Sequence, residues 1–451
     1  MGLSDRAAEG LPPSYARSVG SIQGGNMSNA WYKSRRYLHF DRPVNEDAAL
    51  KVVSAQRAVA RHSFYPLIRY VAESQKVHFD KAAGRVVKKD PKKRQISYAA
   101  HLDSHIYSYY CEVLSDLYER YLSTTEWSAS VLAFRTLGKS NIEFAYEAFM
   151  DIASRTECCV VGIDIKGFFD NLSHTRLKSS WQKLIDRPSL PDDHFAVYKS
   201  LTRFSFVDRE EVYSALGISK NNPKNGRQRI CEPHQFRSAI RGAGLVETNS
   251  IGKGIPQGSP ISALLSNIYM MDFDEKLYSY VETHGGSYFR YCDDILLIVP
   301  LAKEAEAIQF VDHEVAAIKL EVQKTKTEVC RFKKTAKGFR SDRALQYLGF
   351  IFDGENIYLR SSSLARYQER VNRGLSIATL SMQKVNTARI ARGQLPRSIF
   401  LRKLHSRYSY LGRRNFISYG YRAARIMNSK SIRKQLKPLW GRLRKKIEDI
   451  A

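Results

Sequence analysis

The chain has 451 residues, which is too long for one compact core, so we expect two or three subdomains around one principal sheet. A hydrophobic content of 43% suits a folded enzyme, and the sequence shows neither a signal-peptide pattern nor an apolar run of membrane-spanning length, which predicts a cytoplasmic protein with no membrane partner. The net charge of +27 favours a polyanionic partner over general cationic solubility. The six cysteines lack zinc-ligand spacing and are typical of a reducing compartment.

The first part of the chain combines aromatic and basic residues. Between Trp31 and Asp41 the two types alternate, which suits stacking on single-stranded bases and equally suits an arm packed on the body. A short helix is predicted over residues 66–75. Residues 85–96 predict two strands joined by a basic Asp-Pro turn, which could clamp a triphosphate or remain a solvated charged turn.

An acid interrupts the next apolar strand. Residues 159–163 predict a buried strand, and Asp164 follows directly, where a charge needs either a functional role or an ion-pair partner. The chain then turns at Gly167 into two aromatics and Asp170, and Ser173 is a candidate N-cap for the following helix.

A Gly/Pro-rich loop follows a polar, loop-rich insertion at about residues 186–250. In residues 254–260 glycines permit close backbone approach to a ligand, and Ser259-Pro260 predicts the start of a helix. The loop would present Gln257 and backbone amides beside a helix N-terminus, which suits a sugar, base or phosphate.

Two adjacent acids, Asp293 and Asp294, lie between an aromatic-rich half-strand and an apolar run. This pattern predicts a β-hairpin with both carboxylates at its tip, where a hard divalent ion such as Mg²⁺ would neutralise them; an exposed Asp-Asp turn is the alternative. Residues 345–351 predict a further apolar strand. From Asp164 to this strand, the predicted elements follow the order strand, helix, strand pair, helix, strand, which matches a βαββαβ sheet. Adjacent first and third strands would place Asp164 within a few ångströms of Asp293.

The last fifth of the chain is strongly basic. Residues 361–451 hold 22 Lys or Arg and 3 acids, and the spacing of Leu364, Tyr367, Val371 and Leu375 predicts an amphipathic helix. Bases interleaved with aromatics suit a helical surface that tracks a nucleic-acid backbone, although part of the charge would be a solvated face. The candidate contacts are Arg402, Arg413, Arg414 and Arg422.

Several motifs together resemble those of reverse transcriptases. Tyr291-Cys292-Asp293-Asp294 resembles their YxDD box, and residues 164–170 resemble their DxxxFFD box. Residues 254–260 resemble the loop that contacts template and nucleotide, residues 324–327 the lysine-bearing turn, and residues 347–349 the primer-grip hairpin. The resemblance extends over about residues 85 to 355.

The resemblance implies an α+β right-hand polymerase. We expect an N-terminal extension (1–60), fingers (61–155), a ferredoxin-like palm (156–355) that contains the insertion, and an α-helical thumb (356–451). It also implies two Mg²⁺ ions, with Mn²⁺ as a substitute, and deoxynucleoside triphosphates.

The resemblance also implies roles for individual residues. Asp164, Asp293 and Asp294 would be catalytic and would bind metal together with the Ile165 carbonyl. Phe169 would be the steric gate against a 2′-hydroxyl. The full set of implied substrate-binding residues is Lys89, Arg94, Phe168, Phe169, Gln257, Gly258, Tyr291 and Lys326.

The kind of reverse transcriptase is a further expectation. The chain ends soon after the thumb, and it lacks the Val-Thr-Gly motif of retron enzymes. Residues 37–41 and the basic thumb are most similar to those of stand-alone bacterial defence-associated reverse transcriptases of the unknown group. The second type of these enzymes is the nearest. This implies copying of a companion structured non-coding RNA, both template and scaffold, into cDNA. Alternatives are a retron or group II intron-like enzyme, a template-independent or RNA-templated RNA polymerase, and a non-catalytic RNA-binding protein.

Overall fold

The structure is a computed structural model that describes residues 29–74, 77–80, 85–88, 91–336 and 338–450. The strands are β1 (Leu67–Ser74), β2 (Val77–Asp80), β3 (Arg85–Lys88), β4 (Lys92–Tyr98), β5 (Glu157–Asp164), β6 (Ser205–Asp208), β7 (Glu247–Thr248), β8 (Ser287–Tyr291), β9 (Asp294–Val299), β10 (Glu328–Thr335), β11 (Gly338–Ser341), β12 (Leu345–Tyr347), β13 (Phe350–Phe352) and β14 (Ile357–Leu359). The fold is therefore of the α+β class.

The helices lie before, between and after these strands. They are α1 (Glu46–Val53), α2 (Gln56–Ala60), α3 (His101–Ser123), α4 (Asn141–Ser154), α5 (Phe168–Asn171), α6 (His174–Leu184), α7 (Asp192–Thr202), α8 (Arg209–Ala215), α9 (Pro233–Gln235), α10 (Ser262–Tyr269), α11 (Met271–Thr283), α12 (Glu304–Ala317), α13 (Ser361–Ile390), α14 (Leu401–Tyr408), α15 (Phe416–Ile426) and α16 (Lys430–Glu448). Within the described ranges, no helix is both long and apolar enough to cross a membrane.

The principal sheet has the predicted ferredoxin-like arrangement. Its five strands lie in the order β11-β10-β5-β9-β8, so the first and third strands of the βαββαβ unit, β5 and β9, are neighbours. They pair antiparallel, in a register that sets Asp164 opposite Asp294. The prediction that the first and third strands are adjacent is confirmed, and the residue opposite Asp164 is Asp294, which follows Asp293 directly.

Both faces of this sheet are covered, which explains why β5 and β9 are continuous apolar runs. Cys159 and Val161 of β5 belong to one core cluster, together with residues of α10, α11 and α12. Cys158 and Val160 point to a second cluster, which includes residues of α4 and the helices after residue 361. A strand buried on both faces cannot alternate between apolar and polar residues.

The four-stranded second sheet corrects two predictions. Residues 66–75 were expected to form a helix, but residues 67–74 form strand β1, because β1 pairs antiparallel with β4 and parallel with β6. The two strands predicted over residues 85–96 are present as β3 and β4 but do not pair with each other. Instead β3 pairs with β2 and β4 with β1, so the basic Asp-Pro segment does not join two paired strands.

Three local predictions were inaccurate. Residues 345–351 form two strands, β12 and β13, because the chain reverses at Leu348 and Gly349, which both have positive φ. Helix α10 begins at residue 262, two residues later than expected. Ser173 occupies the N-cap of α6, but its hydroxyl contacts Thr175 Oγ1 at 3.0 Å and does not cap the helix.

The segment from residue 30 to residue 41 is an arm packed on the body. Trp31, Leu38 and Phe40 are buried, so they are not available for stacking on bases. The Asp41 carboxylate accepts hydrogen bonds from the amides of His101 and Leu102 at 2.9 and 3.0 Å and thereby caps α3. Of the two open interpretations, the packed arm is correct.

Two buried histidines, His39 in this arm and His105 on α3, predict sensitivity to acid. Burial lowers the pKa of His39 to about 3, with a smaller effect of His101, and burial followed by Arg35 lowers the pKa of His105 to about 4. The unfolded chain, with a histidine pKa of about 6.5, binds more protons, so stability falls as the pH drops from about 6.5 towards these values.

We expect the free energy of unfolding to fall by about 1.4 kcal/mol per pH unit for each histidine in that window, measured by denaturant titration at about pH 7 and pH 5. His39 Nδ1 accepts from the Phe40 amide at 2.9 Å, and His39→Asn keeps an acceptor there. The variant should lose less stability than wild type between the two pH values. An equal loss would contradict the assignment to His39.

The basic C-terminal region is helical, as predicted. Tyr367, Val371 and Leu375 of α13 are buried and Leu364 is half-buried, in agreement with the predicted apolar stripe. Helix α16 contributes a second stripe, which contains Ile432, Leu436, Leu439, Leu443 and Ile447. The basic side chains lie mostly on the opposite, exposed faces.

Candidate active site

The β8–β9 hairpin presents the second acid of the site. Tyr291 pairs with Asp294, so Cys292 and Asp293 form a two-residue turn. Cys292 has φ of +61°, in the left-handed region that hairpin turns usually fill with glycine. A non-glycine residue held in this conformation is a form of backbone strain that is common at functional sites.

A buried ion pair supports this turn. Arg290 and Asp274 are both 0% exposed and make two contacts of 2.6 Å. Arg290 Nη1 also donates to Asn267 Oδ1 at 3.0 Å and to the Cys292 carbonyl at 3.2 Å, and the Tyr288 hydroxyl donates to Asp274 at 2.6 Å. Burial alone would lower the pKa of Arg290, but Asp274 raises it, so the pair remains ionic.

Asp293 is an incompletely satisfied buried carboxylate. It is 3% exposed, and its Oδ1 has no hydrogen-bond partner among the described residues. Burial, followed by the charges of Asp294 and Asp164, raises its pKa well above the usual value. Asp164, across the strand pair, is contacted by Lys326 Nζ at 2.6 Å.

These carboxylates fit a hard divalent cation. Mg²⁺ prefers oxygen ligands, and an unpartnered buried oxygen on Asp293 next to Asp164 is the kind of donor that such an ion requires. Among the described residues the side chains do not already form a group of three metal ligands, and the Lys326 ammonium pairs with Asp164. Asp170 adds a third carboxyl, whose pKa is raised by burial.

A cavity of about 700 Å³ opens above the acids. The second sheet supplies one wall, the principal sheet the other, and the Gly/Pro-rich loop a third side. The lining residues are Val71, Lys93, Arg94, Gln95, Asp164, Ile165, Lys166, Gly167, Phe168, Asp170, Gln257, Asp293, Gln323 and Lys326. Acids and cations thus face one space, which suits a polyphosphate bound together with a divalent cation.

The Gly/Pro-rich loop is fastened to both walls. The Ser97 amide of β4 donates to the Gln257 carbonyl at 2.9 Å, and the Ile255 amide donates to the Phe169 carbonyl at 2.9 Å. A Cβ at Gly258 would lie 2.5 Å from the Ser97 carbonyl oxygen, so glycine is required for this contact. Gly258 therefore serves to dock the loop.

The structure brings seven of the predicted site residues to the cavity: Arg94, Asp164, Ile165, Phe168, Gln257, Asp293 and Lys326. Among the described residues Asp294, Phe169, Gly258 and Tyr291 do not line it, and Lys89 lies outside the described residues. Phe169 is 8% exposed and packs against Phe168 at 5.4 Å. Sequence reasoning did not single out Lys93, Lys166 and Gln323, although the first two lie within the predicted motifs 85–96 and 164–170 and the third adjoins residues 324–327.

The predicted nucleic-acid contacts form a separate group. Arg402 on α14, Arg413 and Arg414 after it, and Arg422 on α15 are all exposed. Arg422 also donates to the Ser140 hydroxyl at 2.8 Å, which links α15 to the start of α4. In the described structure none of the four lines the cavity.

The palm sheet, the paired acids and the cation-lined cavity are those of a polymerase, a nucleotidyltransferase. Residues 86–352 match the reverse transcriptase (RNA-dependent DNA polymerase) family. The chain belongs to the reverse transcriptase family, whose members are RNA-directed DNA polymerases. A search of curated protein sequences finds none that matches.

Solved structures show distant similarity. Telomerase from Candida tropicalis, in its apo form truncated from the C-terminal domain, is 10% identical with a TM-score of 0.40 over 65% of this chain and 57% of its own. Telomerase from Candida albicans with a fragment of telomeric RNA is 11% identical and has a TM-score of 0.39. The match covers 87% of this chain and 64% of the telomerase chain. The RNA-dependent RNA polymerase of a human picobirnavirus is 11% identical and has a TM-score of 0.35. The match covers 64% of this chain and 43% of the polymerase chain. The chain thus spans less than two thirds of each.

Proposed function

We propose that this chain extends a DNA strand on an RNA template in the 700 Å³ cavity. The observation that carries the proposal is that Asp164 and Asp293 face Lys93 and Arg94 across this one space. Carboxylates on one wall and cations on the other match a deoxynucleoside triphosphate bound with metal. The family match supports the same reaction.

Each group in the cavity has a part in the proposed reaction. Asp164, Asp293 and the Ile165 carbonyl, with Asp294 beside the cavity and opposite Asp164, would hold Mg²⁺ or Mn²⁺, which would activate the primer hydroxyl and neutralise developing charge. Arg94 and Lys93 would hold the phosphates, since Arg offers a planar fork of donors. Gln257 would contact the base or the template, and Lys326 would stabilise the departing pyrophosphate.

The direct experiment compares incorporation of deoxynucleotides and ribonucleotides with and without an annealed RNA template. We expect incorporation that requires the template and prefers deoxynucleotides. Template-independent addition would instead favour a terminal transferase, and a preference for ribonucleotides would favour an RNA polymerase.

The aromatic pair provides a further prediction. Phe168 lines the cavity, and the ring of Phe169 packs against the ring of Phe168. Either side chain could therefore exclude a 2′-hydroxyl, and Phe169 is the residue predicted to act as the steric gate. We expect Phe169→Ala to lower the preference for dNTPs about 10- to 100-fold, measured as the ratio of kcat/KM values. If only Phe168→Ala has this effect, the gate is Phe168; if neither variant does, neither residue discriminates.

For the biological role, we propose a bacterial antiphage defence enzyme that copies a companion structured non-coding RNA into cDNA. The resemblance of residues 37–41 and the basic C-terminal helices to such enzymes supports this proposal. Sequencing the nucleic acids that copurify with the protein should reveal one enriched RNA and its complementary DNA. An unenriched mixture, or full phage resistance conferred by an inactive variant, would contradict it.

The exposed thumb arginines should contribute to RNA affinity through phosphate contacts. We expect Arg413→Gln with Arg414→Gln to lower the slope of log affinity against log salt by about two units, since each phosphate contact contributes about one. The measurement is RNA binding over a range of salt concentrations. The matched control changes the exposed Arg61 and Arg187 to Gln. A slope equal to that of the control would assign the contacts to another surface.

A further inference from the structure

A second basic surface lies in the insertion, on a segment with its own hydrophobic anchor. We call residues 217–244 the insertion platform. Its apolar side chains, including Ile230, Phe236 and Ile240, are buried in a core cluster shared with Leu38 and Phe40 of the N-terminal arm. The other buried members from the platform are Ile218 and Cys231.

Two contacts fix the platform to the arm. The Ile230 amide donates to the His39 carbonyl at 2.8 Å, and the rings of Phe40 and Phe236 lie 4.7 Å apart. The same cluster includes Ile68 of β1 and Val207 of β6. The platform is therefore held in place by buried contacts, which distinguishes it from a loose charged loop.

The outward face of the platform is almost purely cationic. It contains one acid, Glu232, and six Lys or Arg: Lys220, Lys224, Arg227, Arg229, Arg237 and Arg241. Lys220 pairs with Glu210 at 2.6 Å, and Arg229 pairs with Glu232. Lys224, Arg227, Arg237 and Arg241 are exposed, and in the described part of the chain none of them has a carboxylate partner.

The backbone arranges two of these cations together. Residues 236–241 form a π-helical turn, a rare conformation that is frequent at functional sites. Phe236 and Ile240 face the core, whereas Arg237 and Arg241, with the same spacing, face solvent. Like charges one turn apart repel each other unless a polyanion lies against them.

We propose that the insertion platform binds the phosphate backbone of a helical RNA segment, outside the cavity where nucleotides would be joined. The proposal rests on the proposed function, because the choice of RNA as the partner comes from that function. Phe236, the platform's only Phe, Tyr or Trp, is buried, so His234 is the one exposed ring on this surface on which an unpaired base could stack. Recognition through phosphates and overall shape, as in RNA duplexes, fits this chemistry.

None of residues 217–244 is among the described residues that line the cavity, so platform and cavity can be tested separately. The test variant combines Lys224→Gln, Arg227→Gln, Arg237→Gln and Arg241→Gln. The matched control removes the same charge elsewhere through Lys199→Gln, Lys319→Gln, Lys333→Gln and Lys334→Gln, all at exposed positions. A charge-preserving variant, Arg237→Lys with Arg241→Lys, tests whether the effect is one of charge.

The probe is an RNA duplex of about 16 base pairs, measured over a range of salt concentrations with full-length protein. We expect the test variant to lower the slope of log affinity against log salt by two to four units, at about one unit per phosphate contact. Its affinity should fall at least about 10-fold near 0.15 M salt. The control and the lysine variant should retain most of the affinity. Thermal unfolding verifies that each variant is folded.

Primer extension on a short annealed template is measured in parallel. The proposal predicts that the test variant keeps the wild-type kcat. If wild type fails to extend the primer, the proposed function fails, and duplex binding still decides the platform's role. A test variant that binds duplex RNA with the slope of the control overturns the proposal; an acidic protein would then be the remaining kind of partner for this surface.

Discussion

Asp293→Asn is expected to abolish nucleotide incorporation without unfolding the protein. The substitution keeps the size of the side chain but removes an anionic ligand from the buried turn at residues 292–293, so we expect a loss of at least about 10³-fold in the rate of single-turnover incorporation. The amide also removes a poorly satisfied buried charge. The variant should therefore be at least as stable as wild type.

The stability difference should depend on pH with a defined sign. The pKa of Asp293 is raised in the folded state relative to about 3.9 in the unfolded chain, so wild type loses stability as the pH rises from about 4 towards the folded value. The advantage of Asp293→Asn should therefore be larger near pH 8 than near pH 4.

An exposed acid provides the control. Asp186→Asn changes an exposed aspartate with φ of +50°, a conformation that asparagine tolerates, and should affect neither activity nor stability. Retention of incorporation by Asp293→Asn would remove the basis of the metal assignment.

Arg290→Met should have the largest effect on stability. Removing one partner of a buried ion pair leaves Asp274 unpaired at 0% exposure, and such changes cost about 3–5 kcal/mol. The variant also loses the hydrogen bond to the Cys292 carbonyl, so incorporation should decrease even in the folded fraction. Denaturant unfolding and single-turnover kinetics measure the two effects.

An exposed pair provides the comparison. Arg120 and Asp116 pair at 3.0 Å on the surface of α3, and Arg120→Met should cost less than about 1 kcal/mol. If Arg290→Met were equally mild, the buried network would not be what holds the turn. Replacing Arg290 and Asp274 together, by Met and Leu, should recover part of the lost stability, since no charge is then left unpaired.

The acids proposed as catalytic could be predicted because each borders a strongly apolar run of residues. Asp164 ends the run of β5, Asp293 precedes that of β9, and the order of elements between them specifies a sheet in which the two strands are neighbours. Charge at the edge of a buried strand is unfavourable without a partner, and this cost is visible in the sequence alone.

Interactions that depend on which elements pack together could not be predicted from the sequence. Asp274 lies in a helix rich in other charges, and only the packing of α11 against β8 shows that it meets Arg290. Strand β1 was predicted as a helix because its partners, β4 and β6, lie far along the chain, and β-propensity depends on such partners. The platform's anchoring to residues 38–40 is equally non-local.

The hydrogen bond between Ser97 and Gln257 has a mechanical consequence. It joins β4, the strand that bears Arg94, to the Gly/Pro-rich loop, and the Ile255 amide of that loop donates to the Phe169 carbonyl in the segment that follows Asp164. A swing of the Arg94 wall away from the acids would have to break backbone hydrogen bonds, so closure around an incoming nucleotide costs less free energy if it leaves this loop in place.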